Sequence, residues 1–284
     1  MTPTVLTRVD DGVATLTHNR PTAMNAFDAD DARVIVEAVN SFAADPEVRV
    51  LVLGGAGKSF SAGGDFNWVL TWPNLDAITR RVGADAMMGA VQAIYDFPKP
   101  SIARVHGAAV GGGIGLMLAC DFAIAASSAR FGLTSVRNGL LAGVAIPGLI
   151  EAVGPRVARQ LMMHGGIFDA ATALRIGVVD QVVETARLDE TVATLAGELK
   201  LGAPSVQTTV KKLITEIDAL SHDAVADILG EHVANQCVTD EALEGMSAFL
   251  EKRSPTWGRD AGDRKQKSAK RDAVQNHPRP GRET

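Results

Sequence analysis

A chain of 284 residues that is 46% hydrophobic and 21% charged carries enough apolar material for one large core or two smaller ones, which excludes a disordered or fibrous protein. Its 28 basic and 33 acidic residues leave a net charge of −5, which argues against general nucleic-acid binding. A polar N-terminus, no apolar run of about 18 residues, two cysteines and six histidines without metal-ligand spacing lead to the expectation of a cytoplasmic protein with reduced thiols, no membrane span and no metal.

In chain order, Val5 to Arg8 and Val13 to Thr17 alternate on either side of Asp10-Asp11-Gly12 and predict a hairpin. Asn19-Arg20-Pro21-Thr22-Ala23-Met24-Asn25-Ala26 is a loop. Apolar residues at helical spacing predict a helix from Asp28, its cap, to Ala44, ended by Asp45-Pro46. Val48 to Leu53 is a buried strand leading to Gly54-Gly55-Ala56-Gly57, and Phe60-Ser61-Ala62-Gly63-Gly64-Asp65-Phe66 makes a small-residue corner, with Asp65 placed to cap the segment through Trp68 and Leu70. Thr71 to Ala84 has few signals and reads as a covering loop with helical pieces. A helix from Asp85 to Tyr95 then ends before Phe97-Pro98-Lys99-Pro100, whose prolines force an extended entry into the strand Ser101 to Val105.

His106 to Asp121 contains three consecutive glycines, Gly111 to Gly113, between that strand and a stretch apolar on every side, Ile114 to Cys120, which suits a buried helix. Bare glycine N–H groups at such a corner can hold an oxyanion; a tight turn for close packing is the alternative. Short strands are expected at Phe122 to Ala126 and Arg130 to Gly132, then a glycine-broken loop, Leu133 to Gly148, lining a site. Helices are expected at Val157 to His164 and, capped by Asp169, at Asp169 to Ile176, with a strand at Val178 to Val183. Four more helices are expected at Leu188 to Leu201, Val206 to Leu220, His222 to Cys237 and Asp240 to Glu251. Arg259 to Thr284 holds eight basic and four acidic residues and reads as a polar disordered tail.

Two nucleotide motifs fail. The dinucleotide fingerprint beginning at Gly111 and Gly113 needs a third glycine where Leu116 stands, and the phosphate loop ending Gly57-Lys58-Ser59 needs its first glycine at Val52. Taken together, Ser61-Ala62-Gly63-Gly64-Asp65, Gly107 to Asp121, Asn19-Arg20-Pro21 through Asn25-Ala26 and Gly139-Leu140 resemble the crotonase family, the enoyl-CoA hydratase/isomerase superfamily. The resemblance covers roughly Val5 to Lys252. It implies an α/β fold: a ββα superhelix, or spiral, over residues 1–200, a helical trimerisation region over 201–257 and the polar tail over 258–284, assembled as a homotrimer or a dimer of trimers.

The resemblance also implies an acyl-CoA thioester as substrate, with no separate cofactor because coenzyme A enters as part of it. The thioester oxygen falls between the backbone N–H groups of Gly64 and Gly112. By the same resemblance Ala23, Met24, Ala62 and Phe66 are expected to border the coenzyme A channel, and Trp68 and Trp72 are read as acyl-pocket walls rather than stacking platforms. Thr22 stands where many relatives carry a basic residue.

Two glutamates that serve the family's hydratases as acid and base fall on Gly115 and Ser135, and a third acidic position falls on Gly143. Both glutamates are therefore replaced, and a serine hydroxyl without a paired base cannot act as general base. Ser135 is read as substrate-binding. The run from Ala62 to Trp68, with Pro98-Lys99-Pro100 and Ile102 to Val105, looks most like the methylglutaconyl-CoA hydratase-like branch. Candidate substitutes for the lost carboxylates are Arg137, Asn138, Asp76, Asp85, Tyr95, His106, Glu231, His232 and Glu241, each with a structural or solvated role as the simpler reading. The expected function is an acyl-CoA-processing lyase or isomerase that works chiefly by stabilising an enolate. The alternative is a non-catalytic acyl-CoA binder or assembly subunit.

Overall fold

A computed structural model describes residues 2–217 and 222–258; the predicted polar tail and the end of the helix expected at Val206 to Leu220 lie outside the described residues. Chain contacts separate two compact units, Met1–Ala196 and Gly197–Thr284.

The first unit opens with β1 (Val5–Asp10) and β2 (Val13–His18), antiparallel with Val5 opposite His18 and Asp10 opposite Val13. The turn residues Asp11 and Gly12 have φ of 50° and 74°, the left-handed pair whose twist matches that of the flanking strands. Next, α1 (Ala29–Ala44) starts at Asp28, whose side chain accepts the N–H groups of Asp30 and Asp31, and it buries Ala32, Ile35, Val39 and Phe42 along one face. Its C-terminus is held by Lys99, whose ammonium donates to the carbonyls of Phe42 and Asp45.

Then come β3 (Val50–Gly55), α2 (Phe66–Val69), α3 (Ala77–Tyr95), β4 (Ser101–Val105), β5 (Ala108–Val110), α4 (Gly112–Leu118), β6 (Phe122–Ala126), β7 (Arg130–Gly132), α5 (Ile146–His164), β8 (Ile167–Asp169), α6 (Ala170–Ile176), β9 (Gln181–Val183) and α7 (Leu188–Leu199). The major sheet has the order β1-β2-β3-β4-β6-β9, parallel from β2 onward, and a second sheet has the order β5-β7-β8. Ser61 extends the second sheet through a parallel bridge to Ala109. Successive turns of chain therefore place one strand in each sheet before a helix: β3 and Ser61, β4 and β5, β6 and β7. That is the ββα spiral, and its parallel strands are buried and aliphatic, as strands covered on both faces must be.

Three expectations are corrected. The covering segment is not a loop as far as Ala84: α3 begins at Ala77, because Asp76 caps the Thr79 N–H and Gly83 admits the Trp68 ring, from which an added Cβ would stand only 2.9 Å away. Likewise α5 begins at Ile146, well before Val157, in two helical pieces broken at Gly154, φ 73°, ahead of Pro155. Neither the short β5 nor the short β8 was expected. In the second unit, α8 (Pro204–Ile217), α9 (His222–Gln236) and α10 (Asp240–Leu250) match the expected helices to within a few residues.

Candidate active site

Two glycine corners meet at the junction of the sheets. At the first, Gly63 has φ 86°; at the second, Gly111 has φ 55° and ψ −122° and turns β5 into α4, conformations for which a glycine is needed. The corners touch: a Cβ on Gly63 would stand 2.5 Å from the nitrogen of Gly112. Each corner aims one peptide. The carbonyl of Gly63 accepts the Phe27 N–H at 2.8 Å and that of Gly111 accepts the Ile114 N–H at 3.1 Å, and in a planar trans peptide the N–H on the far side points the opposite way. Those far-side donors are Gly64 N–H and Gly112 N–H, and among the described residues neither donates a hydrogen bond to the protein.

Both glycines line a cavity of about 390 Å³. Its remaining walls include Ala62, Phe66 and Val69 of the α2 corner, Trp72 of the 3₁₀ turn Trp72–Asn74, Ala84, Met87 and Met88 of α3, and Thr134 to Val144 in part, with Ser135 and Gly143 among them. None of these carries a charge. Trp68 is not a wall. Phe66 and Val69 lie three apart on one face of α2, which turns Trp68 away; its ring packs edge-on against Trp72, 5.0 Å between centroids, behind the cavity. The Trp72 indole N–H is buried without an acceptor among the described residues. Ala23 and Met24 do not line the cavity either: Met24 is 54% exposed, and its carbonyl accepts the N–H of Ala62, which does.

The enoyl-CoA hydratase/isomerase family model matches residues 8–260. The chain belongs to that family. A crotonyl-CoA hydratase of Syntrophomonas wolfei is 35% identical over 251 residues, 88% of this chain and 95% of that protein, and an (E)-benzylidenesuccinyl-CoA hydratase of Thauera aromatica is 35% identical over 257 residues, 89% and 98% respectively. The crystal structure of an enoyl-CoA hydratase from Shewanella pealeana aligns with a TM-score of 0.86 at 32% identity, covering 90% of this chain and 96% of that one. The fold is accordingly the family's crotonase-type α/β spiral.

Within this family member, the positions that the resemblance marks for carboxylates differ in kind. Ser135 faces the cavity from the 3₁₀ turn Thr134–Asn138. Gly115 does not: it is buried in α4, where a Cβ would stand 2.8 Å from the carbonyl oxygen of Val144, so the 143–145 turn fills the place a side chain would need. None of the first-unit substitutes lines the cavity. Asp76 caps α3, Asp85 pairs with Arg81, and Arg137 donates to the carbonyl of His164. His106 donates through Nε2 to the Gly57 carbonyl and accepts from Arg104 at Nδ1, so it is held neutral, with burial lowering its pKa. In the second unit Glu241 accepts from the N–H and hydroxyl of Ser205.

What sequence reasoning left out of the site is its buttress. Asn25, buried with φ 56°, donates to the carbonyls of Ala56 and Ser59, accepts the Arg20 N–H, and offers its own carbonyl to the Ser61 hydroxyl, which in turn accepts the Gly63 N–H. Arg20 reaches Asp65 at 2.6 Å, Asp31 at 2.8 Å and the Ala26 carbonyl at 2.9 Å. Burial acts to raise the Asp65 pKa, but hydrogen bonds from Arg20 and the Asn67 N–H outweigh it and hold the carboxyl below its usual range. The loop motif from Asn19 to Ala26 was the available signal.

Among the described residues there is no cluster of His, Cys, Asp and Glu suited to a metal, and no helix long and apolar enough to cross a membrane.

Proposed function

We propose that this protein binds an acyl-CoA thioester with its carbonyl oxygen between Gly64 N–H and Gly112 N–H and processes it through an enolate, without help from a protein carboxylate. One observation supports the reading: two glycines whose backbone N–H groups are unengaged among the described residues line one cavity, whose lining residues include no acid or base. A fixed donor aimed at developing negative charge contributes about 3–4 kcal/mol. Hydration and double-bond migration also need proton transfer, worth about 10²- to 10⁴-fold per group.

Loss of carbon dioxide from a malonyl-type thioester needs no protein acid or base to break its bond. The bond between the α-carbon and the carboxylate breaks, its electron pair becomes the enolate, and water supplies the proton to the α-carbon, the hydroxide so formed being taken up by carbon dioxide as bicarbonate. A charge-free cavity favours this step, because it leaves the carboxylate poorly solvated while the two donors receive the charge that moves to the oxygen. Coenzyme A enters as part of the substrate. The proposed assembly is a homotrimer or dimer of trimers through the helical second unit, whose Val210, Ile214, Val233, Phe249 and Leu250 are exposed.

The test is turnover of methylmalonyl-CoA and crotonyl-CoA by the wild type and by Gly112→Pro, which deletes one donor at the first position of α4, where proline is tolerated. Carbon dioxide release that falls about 10²- to 10³-fold in the variant supports the proposal; release unaffected by the substitution refutes it. Binding without turnover of either thioester establishes instead the non-catalytic binder that the missing carboxylates also allow.

A further inference from the structure

The Gly64 donor sits in a peptide that glycine leaves free to rotate on both sides. An oxyanion donor is useful only if its direction is set before the charge develops, since preorganisation is the source of its effect. The peptide's oxygen is tied to Phe27 N–H, and the next residue returns the bond, Asp65 N–H donating to the Phe27 carbonyl at 3.0 Å. The aim of Gly64 therefore depends on where the segment Ala26-Phe27 and the residue Asp65 are held. One side chain holds both. The Arg20 guanidinium uses one nitrogen for Asp65 Oδ2 and the other for the Ala26 carbonyl and Asp31 Oδ2, the last at the start of α1. The remaining oxygen of Asp65 accepts the Asn67 N–H at 2.9 Å. Asp31 and Asp65 are buried and Arg20 is about a quarter exposed, so the fork is not loosened by solvent as a surface pair is.

We infer that Arg20, acting through Asp65 and the Ala26 carbonyl, is the positioning residue that aims the Gly64 N–H at the thioester oxygen. It touches no substrate. Its fork geometry is required, because a lysine ammonium on a flexible stem cannot hold three oxygens in fixed directions. The inference rests on the oxyanion reading above, and the experiment separates the two.

The probe is crotonyl-CoA labelled with ¹³C at the thioester carbonyl, observed by isotope-edited infrared difference spectroscopy on wild type, Arg20→Lys, Asp65→Asn and the double variant, with dissociation constants and thermal midpoints on the same samples. Asp65→Asn is isosteric and still caps the Asn67 N–H, so it serves even where Arg20→Lys fails to fold. In the wild type the carbonyl frequency drops on binding. In each single variant about half of that drop is lost while affinity changes by no more than about threefold, and the double variant loses no more than the larger single loss, because both act through one link. Variants that keep the full wild-type frequency, even with a lowered thermal midpoint, overturn the positioning role and leave the oxyanion reading intact. A wild type with no frequency drop overturns both.

Discussion

His18, the last residue of β2, is buried against the Phe27 ring, and its Nε2 has no partner among the described residues. Burial pushes its pKa down to about 4, against the weaker opposing pull of Asp31. The folded state therefore binds fewer protons than the unfolded state over the window between the two pKa values. The stabilisation is fully present above the unfolded value of about 6.5 and is lost as pH falls toward 4. The loss amounts to about 3 kcal/mol for a shift of this size. Urea unfolding of wild type and His18→Phe at pH 7 and pH 4.5 checks this: the wild type loses the greater share of its stability, and equal losses in the two proteins contradict it. Nothing in the alternation of β2 marks this histidine as unpartnered, because the ring that covers it comes from Phe27, beyond an intervening loop.

Helix α4 and the turn at Gly143–Ala145 form one packed pair, and their contact decides at which of the two positions the scaffold can accept a carboxylate side chain. A side chain at Gly115 must displace the Val144 carbonyl, whereas Ser135 opens on the cavity. Overpacking of this kind costs about 1–3 kcal/mol for a single methyl group. Gly115→Ala is thus expected to lower urea stability by that amount with crotonyl-CoA hydration unchanged. Ser135→Glu is expected to fold normally and to raise hydration about 10²-fold by supplying one proton-transfer group; a stable Gly115→Ala, or no gain from Ser135→Glu, contradicts the assignment. Both positions read as glutamate replacements in the sequence, but only packing distinguishes an open site from a filled one. The element boundaries show the same division. The Asp28 cap and the Asp11-Gly12 turn were legible because cap and turn chemistry act within a few residues, while the close approach of Gly83 in α3 to the Trp68 ring joins two elements.

At the scale of the whole molecule, the recurring strand, strand, helix pattern becomes two sheets fed in alternation, and that alternation brings Gly63 against Gly112 across nearly fifty residues of chain. The exposed aliphatic and aromatic side chains of the second unit, Phe249 at 83% among them, form the kind of surface that oligomerisation covers. Light scattering on the eluting protein is expected to return three or six times the chain mass, and Phe249→Asp to shift it toward smaller species; a monomeric wild type contradicts the proposed assembly.

Local chemistry was enough to read the hairpin, the capped helix α1 and the two glycine corners, since each depends on short-range backbone preference, and the family was legible only as a resemblance carried by several separate motifs. Folding alone decided that the two corners touch, that Trp72 rather than Trp68 walls the cavity, that Val144 closes the Gly115 position, and that Arg20 ties Asp65 to Asp31 and Ala26. Each of these joins residues from different turns of the spiral, and no periodicity within one segment encodes the distance between two.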